Sequence, residues 1–219
     1  MFCGQLIASE ILPLNVHDQV HEALRLMEEM ELAHLPVVNE EKFLGLVNEE
    51  DLLDEDGTQP LEAIQELFIH PTVKANDHFL VAVKLAHLFH LDIVPVMNEN
   101  NELEGVITSD TLFRQLSHLT GSDEPGSLVV LEVDRKDFSV GEINRLVESN
   151  DAFITQLNTV FEPASQLITV VIKINKEEIS DIIATFQRHE YIVRYFLGEE
   201  LFKNELQDNL DHLMNYLNM

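Results

Sequence analysis

The sequence predicts an α+β protein: two tandem copies of one helix–strand–strand–helix unit, then a βαββαβ unit and a C-terminal helix. Three observations carry this. A set of residues in the first half recurs 59 positions later. Within each copy the apolar pattern switches from helical period to short strand-length runs. After the Gly/Pro/Ser stretch Gly121–Gly126 a different pattern begins, of strands alternating with two amphipathic helices.

The repeat pairs Asp18 with Asp77, Ala23 with Ala82, Leu26 with Leu85, Leu32 with Leu91 and Pro36-Val37 with Pro95-Val96; after one inserted residue it pairs Gly45 with Gly105 and Leu52 with Leu112. Val20, Ala23, Leu24, Met27 and Met30 recur at helical spacing, as do Phe79, Ala82, Val83, Ala86 and Phe89. Strand-length runs follow at Leu35–Val38 and Ile93–Met97, then polar turns, then second strands at Phe43–Val47 and Leu103–Thr108. Asn48 and Thr108 are good N-cap types for the second helices. A short extended segment precedes each copy, near Leu14–Val16 and Thr72–Ala75. One unit this small buries little alone, so the two copies are expected to pack face to face.

Beyond the linker, Leu128–Val133 reads as a strand, and Ser139-Val140-Gly141-Glu142 is a capping-box sequence opening the helix Val140–Glu148. Phe153–Phe161 and Leu167–Ile174 read as strands, Glu177–Arg188 as a helix and Tyr191–Leu197 as a last strand. The order βαββαβ is the ferredoxin-like arrangement, an antiparallel sheet with two helices on one face. Leu201, Leu206, Leu210, Leu213 and Leu217 lie near one stripe of a terminal helix, docked on its own domain or held for a subunit contact. The expected divisions are residues 1–58, 59–120, 127–198 and 199–219.

Of 219 residues 45% are apolar, enough for packed cores; 13 are basic and 40 acidic, a net charge of −27. Nucleic acid and anionic membranes would be repelled, and Arg135-Lys136 is the one pair of adjacent basic residues. No apolar run approaches the roughly 20 residues of a membrane span. With no secretory signal seen at the N-terminus and the single Cys3 without an internal partner, a cytoplasmic setting is expected. Cys3 is expected to lie in a flexible terminal segment. His17/His21 and His87/His90 have same-face helical spacings, but no pattern supplies the three or four ligands of a zinc site, so surface histidines are expected. With no G-x-S-x-G, P-loop or G-x-G-x-x-G, the chain is not expected to be an enzyme.

The segments Leu35-Pro36-Val37-Val38 with Gly45 to Leu52, and Val94-Pro95-Val96-Met97 with Gly105 to Leu112, make the repeated unit resemble the CBS domain, and the tandem resembles a Bateman module. The βαββαβ part resembles an ACT domain, and the combination is similar to acetoin-utilization-type CBS–ACT proteins. The resemblance implies a regulatory, ligand-sensing protein. It implies an adenosine nucleotide, AMP, ADP or ATP with Mg²⁺, in the cleft between repeats, and an ACT-like domain for dimerisation or readout. The alternative is an acidic dimeric scaffold whose pockets take no ligand.

Such a pocket needs apolar residues around the base, a carboxylate for the ribose and donors for the phosphates at a helix start. The positions implied are Pro36, Val37, Asn48 and Asp51 in the first repeat, and Thr72, Pro95, Val96, Thr108, Ser109, Asp110 and Thr111 in the second. The family pattern has a hydroxyl at the strand end and an aspartate three residues on. The first repeat keeps the aspartate (Asp51) but has Asn48; the second keeps the hydroxyl (Thr108) but has Thr111. Glu49, Glu50 and Asp51 crowd the first helix start with carboxylates, whereas the second holds one, so an anion suits the second repeat better. In the ACT-like part, Asp134-Arg135-Lys136-Asp137 lacks the glycine that ligand-binding members carry at this turn, which favours packing over amino-acid binding; Arg135 and Lys136 are its basic spot for a carboxylate.

An open sheet edge, the last apolar stripe and the acidic surface together predict a homodimer that works against like-charge repulsion. Such repulsion is screened over about 8 Å at physiological ionic strength. Raising NaCl from about 20 to 500 mM should therefore raise the melting temperature. A flat or falling trend, followed by calorimetry, would show that ion pairs of the 13 basic residues dominate.

Overall fold

The computed structural model describes residues 1–8 and 10–198, and it divides into two compact units, Met1–Leu116 and Ser117–Met219. The terminal stripe from Leu201 to Leu217 lies outside the described residues.

The first unit holds both repeats. Each begins with a two-residue strand, β1 Leu14–Asn15 or β4 Val73–Lys74, followed by a helix, α1 Val20–Met30 or α3 Phe79–Phe89. A hairpin follows, β2 His34–Asn39 with β3 Lys42–Asn48, or β5 Ile93–Met97 with β6 Leu103–Thr108. Each repeat ends in a second helix, α2 Glu49–Leu53 or α4 Ser109–Leu119. Both three-stranded sheets pair their first strand parallel and their hairpin antiparallel. The helices stop as chain chemistry dictates: α1 and α3 both end on a left-handed residue, Glu31 and His90, which turns the chain back toward its sheet.

The two repeats are built through each other. The segment ahead of the first repeat does not pack on it; Ala8 pairs with Val106 on β6 of the second, N–H to carbonyl at 2.8 Å. The segment ahead of the second repeat returns the exchange, Ile69 pairing with Leu46 on β3 through bonds of 2.8 and 3.1 Å. Short 3-10 helices lead both segments. Cys3 and Gly4 donate to Asp77 and Ala75 carbonyls, and Leu61 and Glu62 donate to Asp18 and Val16, the equivalent positions. Cys3 is therefore fully buried in the second repeat's core beside Phe79 and Ala82, not at a flexible end: its four-residue neighbourhood finds backbone partners that a lone terminus would lack. Burial pushes its thiol pKa up, with the charge of Asp77 adding to the effect.

Gly45 and Gly105 sit where the exchanged segments cross, at φ +148° and +152°. A Cβ on Gly45 would lie 2.7 Å from Phe68 Cβ, and one on Gly105 2.4 Å from Ile7 Cγ2. Close crossing and backbone conformation both demand glycine there.

The second unit is the ferredoxin-like arrangement. Its antiparallel sheet runs β10 Ile192–Leu197, β7 Ser127–Asp134, β9 Leu167–Ile174, β8 Ile154–Glu162, with α5 Val140–Glu148 and α6 Ser180–Arg188. Alternate residues of β7 and β9, Val129, Leu131, Val170 and Ile172 among them, are buried with Ile143, Leu146, Ile182 and Phe186 of the helices. Ser139 caps α5 by accepting from the Glu142 N–H at 3.3 Å. The helix expected from Glu177 begins at Ser180 instead, because Ile179 is non-helical (φ −129°) and the Glu178 carboxylate takes the Ser180 N–H at 2.8 Å.

Gly105→Ala and Gly45→Ala are each expected to destabilise the first unit by about 1–3 kcal/mol. Gly57→Ala, whose Cβ would meet only His21 Cβ at 3.4 Å, should cost far less. Urea unfolding of the three variants checks the order.

Candidate functional site

The hairpins set the helix starts and the opening residues of β2 and β5 at one end of the strands. His34 stands opposite Asn48, and Ile93 opposite Thr108. The backbone there is the same in both repeats: the Ala33 carbonyl accepts from Glu49 N–H at 2.8 Å and the Asp92 carbonyl from Ser109 N–H at 2.7 Å. The side chains are not. Where the first repeat has Ala33 the second has Asp92, and where the second has Ile93 the first has His34.

Those two odd residues meet across the repeats. Asp92 accepts the Ala33 N–H at 2.5 Å with one oxygen and the His34 Nδ1–H at 2.6 Å with the other. His34 is 5% exposed at the side chain and Asp92 25%. Burial alone would push the Asp92 carboxyl up, but the hydrogen bonds from His34 and Ala33 outweigh it and hold the pKa below its ordinary value. Sequence reasoning missed this pair, although the repeat alignment itself sets a charge against an alanine there.

At the first helix start, Asn48 Oδ1 accepts the Glu50 N–H at 2.9 Å, and Asp51 is exposed on a helix of five residues whose first turn holds three carboxylates. At the second, Thr108 Oγ1 accepts the Thr111 N–H at 3.2 Å and donates to Thr111 Oγ1 at 3.0 Å. Arg114 reaches Thr111 Oγ1 at 3.3 Å and pairs with Asp110 at 2.9 Å. Thr108 and Thr111 are half-buried; Ser109 and Asp110 are exposed. Thr72 is half-buried directly ahead of β4, on the sheet that carries Pro95 and Val96. Pro36, Val37, Pro95 and Val96 are all buried, and Val37 and Val96 belong to the two cores. At the opposite, hairpin end of the strands a cleft of about 580 Å³ runs between the repeats, lined by Ile7, Ile11, Pro13, Val38, Glu104 and Gly105 with others; none of the predicted site residues lines it.

In the second unit a cavity of about 380 Å³ lies beside the turn after β7, lined by Glu132, Asp134, Asp137, Glu142, His189 and Tyr191 with others. Arg135 and Lys136 do not line it. The Arg135 guanidinium stands 5.1 Å from the Phe161 ring centroid, and Lys136 pairs with Asp134 at 3.6 Å.

Residues 3–57 match the family described as CBS domain. The crystal structure of a CBS domain pair/ACT domain protein from Thermotoga maritima shares this fold at 23% identity and TM-score 0.50, over 54% of this chain and 98% of that one. Among curated proteins, an inosine-5'-monophosphate dehydrogenase of Korarchaeum cryptofilum is 29% identical over 129 residues, 57% of this chain and 26% of its own length. A homoserine O-acetyltransferase of Methanobrevibacter ruminantium is 27% identical over 120 residues, 53% of this chain and 24% of its own. The chain thus spans about a quarter of the curated relatives it matches. Among the described residues no helix is long and apolar enough to cross a membrane.

Asp92→Ala removes the acceptor of two donors, one of them on a buried ring, and should cost about 1–3 kcal/mol at neutral pH. Because the folded-state carboxyl is depressed, its stabilisation is present above the ordinary aspartate range near pH 4 and is lost as pH falls through the lowered value. The difference between wild type and Asp92→Ala should therefore shrink in acid, as read by denaturant titrations at stepped pH.

Proposed function

We propose that this CBS-domain protein is a regulatory ligand sensor. In this reading residues 1–58 and 59–120 form the sensing pair, residues 127–198 the ACT-like dimerisation or readout domain, and an unidentified protein partner receives the signal. A ligand in the cleft between repeats biases their orientation only through unequal affinity for the arrangements available to them. The ligand class is an adenosine nucleotide, AMP, ADP or ATP, with Mg²⁺ offsetting the carboxylates of the helix starts.

The observation that carries the reading is the difference between the two helix starts. α4 runs eleven residues and opens on Thr108, Ser109 and Thr111, with its one first-turn carboxylate, Asp110, tied to Arg114. Its free N–H groups and dipole favour a phosphate there. α2 has five residues and opens on Glu49, Glu50 and Asp51, which compensate its own dipole. The nucleotide therefore belongs to the second repeat, with Thr72, Pro95 and Val96 on the side of the base and Thr108, Ser109, Asp110 and Thr111 on the side of ribose and phosphate. Asn48, Asp51, Pro36 and Val37 form the weaker counterpart, and Arg135 and Lys136 a subsidiary carboxylate site. The role is regulatory rather than catalytic.

A second reading is a ligand-free acidic scaffold. The burial of Val37 and Val96 in the cores favours it, since those side chains are already occupied.

Chromatography and mass spectrometry of the purified protein should find a bound nucleotide. In calorimetric titration with AMP or ADP and Mg²⁺, Thr108→Ala should weaken binding about tenfold or more, the worth of a hydrogen bond to a charged group. Asp51→Ala should leave it nearly unchanged. Equal losses in the two variants would refute the assignment to the second repeat, and absence of any binding would favour the scaffold.

A further inference from the structure

We propose that the outer face of α3 and the start of α4 is the surface through which two copies of this chain associate. This rests on the dimeric reading above and assigns the contact to the second repeat, which leaves the ACT-like unit free for readout.

The two repeats provide the comparison. Equivalent outward positions of α1 and α3 lie 59 residues apart. In α1 they are His21, Glu22 and Glu29, all exposed and polar; in α3 they are Leu80, Val81 and Leu88, exposed to 44%, 43% and 57%. Phe113 on α4 is 72% exposed. None of these is needed for the fold, because Phe79, Ala82 and Leu112 already fill the inward side of the same helices. A helix that is polar outside in one copy and apolar outside in the other has a use for the second surface that the common fold does not require.

Charge selects the occupant. α3 contains no carboxylate in a chain that carries 40; its outward charge is Lys84. The single acid of α4, Asp110, is already paired with Arg114. The face is thus neutral to slightly positive on a body of net charge −27. A partner helix like α1, or the start of α2, would press Glu22, Glu29 or Glu49 onto these leucines and strip their water without return. The same face of a second copy brings apolar side chains and no uncompensated acid, and each copy's cation approaches the other's acidic body. A twofold pairing of one self-complementary patch is the closed arrangement that results. Its large side chains supply the dry centre of an interface of ordinary size, about 800 Å² on each partner.

The test uses the full chain. Sedimentation across the micromolar range should show a dimer for wild type and for Arg25→Glu, the control on α1. It should show a dissociation constant at least about tenfold weaker for the double variant Val81→Glu/Leu88→Glu. Should that variant unfold, hydrogen exchange of wild-type α3 decides: protection must fall on dilution. A double variant as dimeric as wild type would overturn this face while leaving the nucleotide reading intact. A wild-type monomer would overturn both the face and the dimer, and α3 protection that ignores dilution would show cover from within the chain and overturn the proposal. Titration of AMP into the double variant reads the sensing site separately.

Discussion

The exchange of leading segments is the constraint on which the first unit depends. Each three-stranded sheet offers an edge residue, Leu46 or Val106, to a segment that belongs in sequence to the other repeat. Neither repeat can complete its hydrogen bonding by itself, so the unit folds as one body even though its sequence repeats. The crossing is close because both contact points are glycine; any side chain would push Phe68 or Ile7 away and open the core behind it. The exchange also carries apolar residues across: Leu46, from the first repeat, is buried in the same cluster as Val73, Val96 and Ile107 of the second. Burial of that kind scales with apolar area removed from water and holds the two halves together far more firmly than a surface contact between finished domains.

An interlocked pair restricts what a ligand can do. The repeats cannot swing apart without stripping backbone bonds from both sheets, so a change of orientation must be a small rotation about the seam. The seam is also where the internal symmetry breaks. Asp92 holds an N–H and a buried imidazole of the other repeat with one carboxylate, where the symmetric position has a methyl group. A buried charge of this kind is kept in register by its partners and tolerates displacement poorly. It therefore sets one relative orientation of the helix starts as the resting one, and any ligand at α4 works against or along that preference.

Much of this architecture was legible in the sequence because it rests on local rules. The 59-residue recurrence, the alternation of β7, the caps at Asn48 and Ser139 and the ferredoxin-like order all follow from short-range patterns. The exchange was not legible, because strand addition by Ala8 or Ile69 uses backbone groups that every residue carries. Burial of Cys3 followed from the same non-local pairing and was hidden for the same reason. The His34–Asp92 bridge lay between the two cases: the aligned repeats expose Ala33 against Asp92 and His34 against Ile93, two departures side by side, but only the packing of β2 against β5 shows that they answer each other. For the nucleotide residues, sequence supplied their addresses at the helix starts, while the structure adds that Val37 and Val96 are core side chains and that α2 is a single short turn and a half.

The differences between the repeats share one direction. The first keeps charges on the outside of α1 and three carboxylates at α2, and presents Ala33 and Asn48. The second trades those positions for leucine and valine on α3, hydroxyls at α4, and Asp92. Duplicated units that bear the same load have no physical reason to diverge in this way, since the fold is satisfied by the inward residues they share, Val20 and Phe79, Ala23 and Ala82, Leu52 and Leu112. The outward and seam positions are free of the core and answer to whatever the surface meets. Electrostatics then divides the work: a repeat whose helix starts and outer face bristle with carboxylates repels anions and copies of itself, and keeps the protein dissolved. The repeat relieved of that charge is left as the part of the pair on which a phosphate or a second acidic chain can settle.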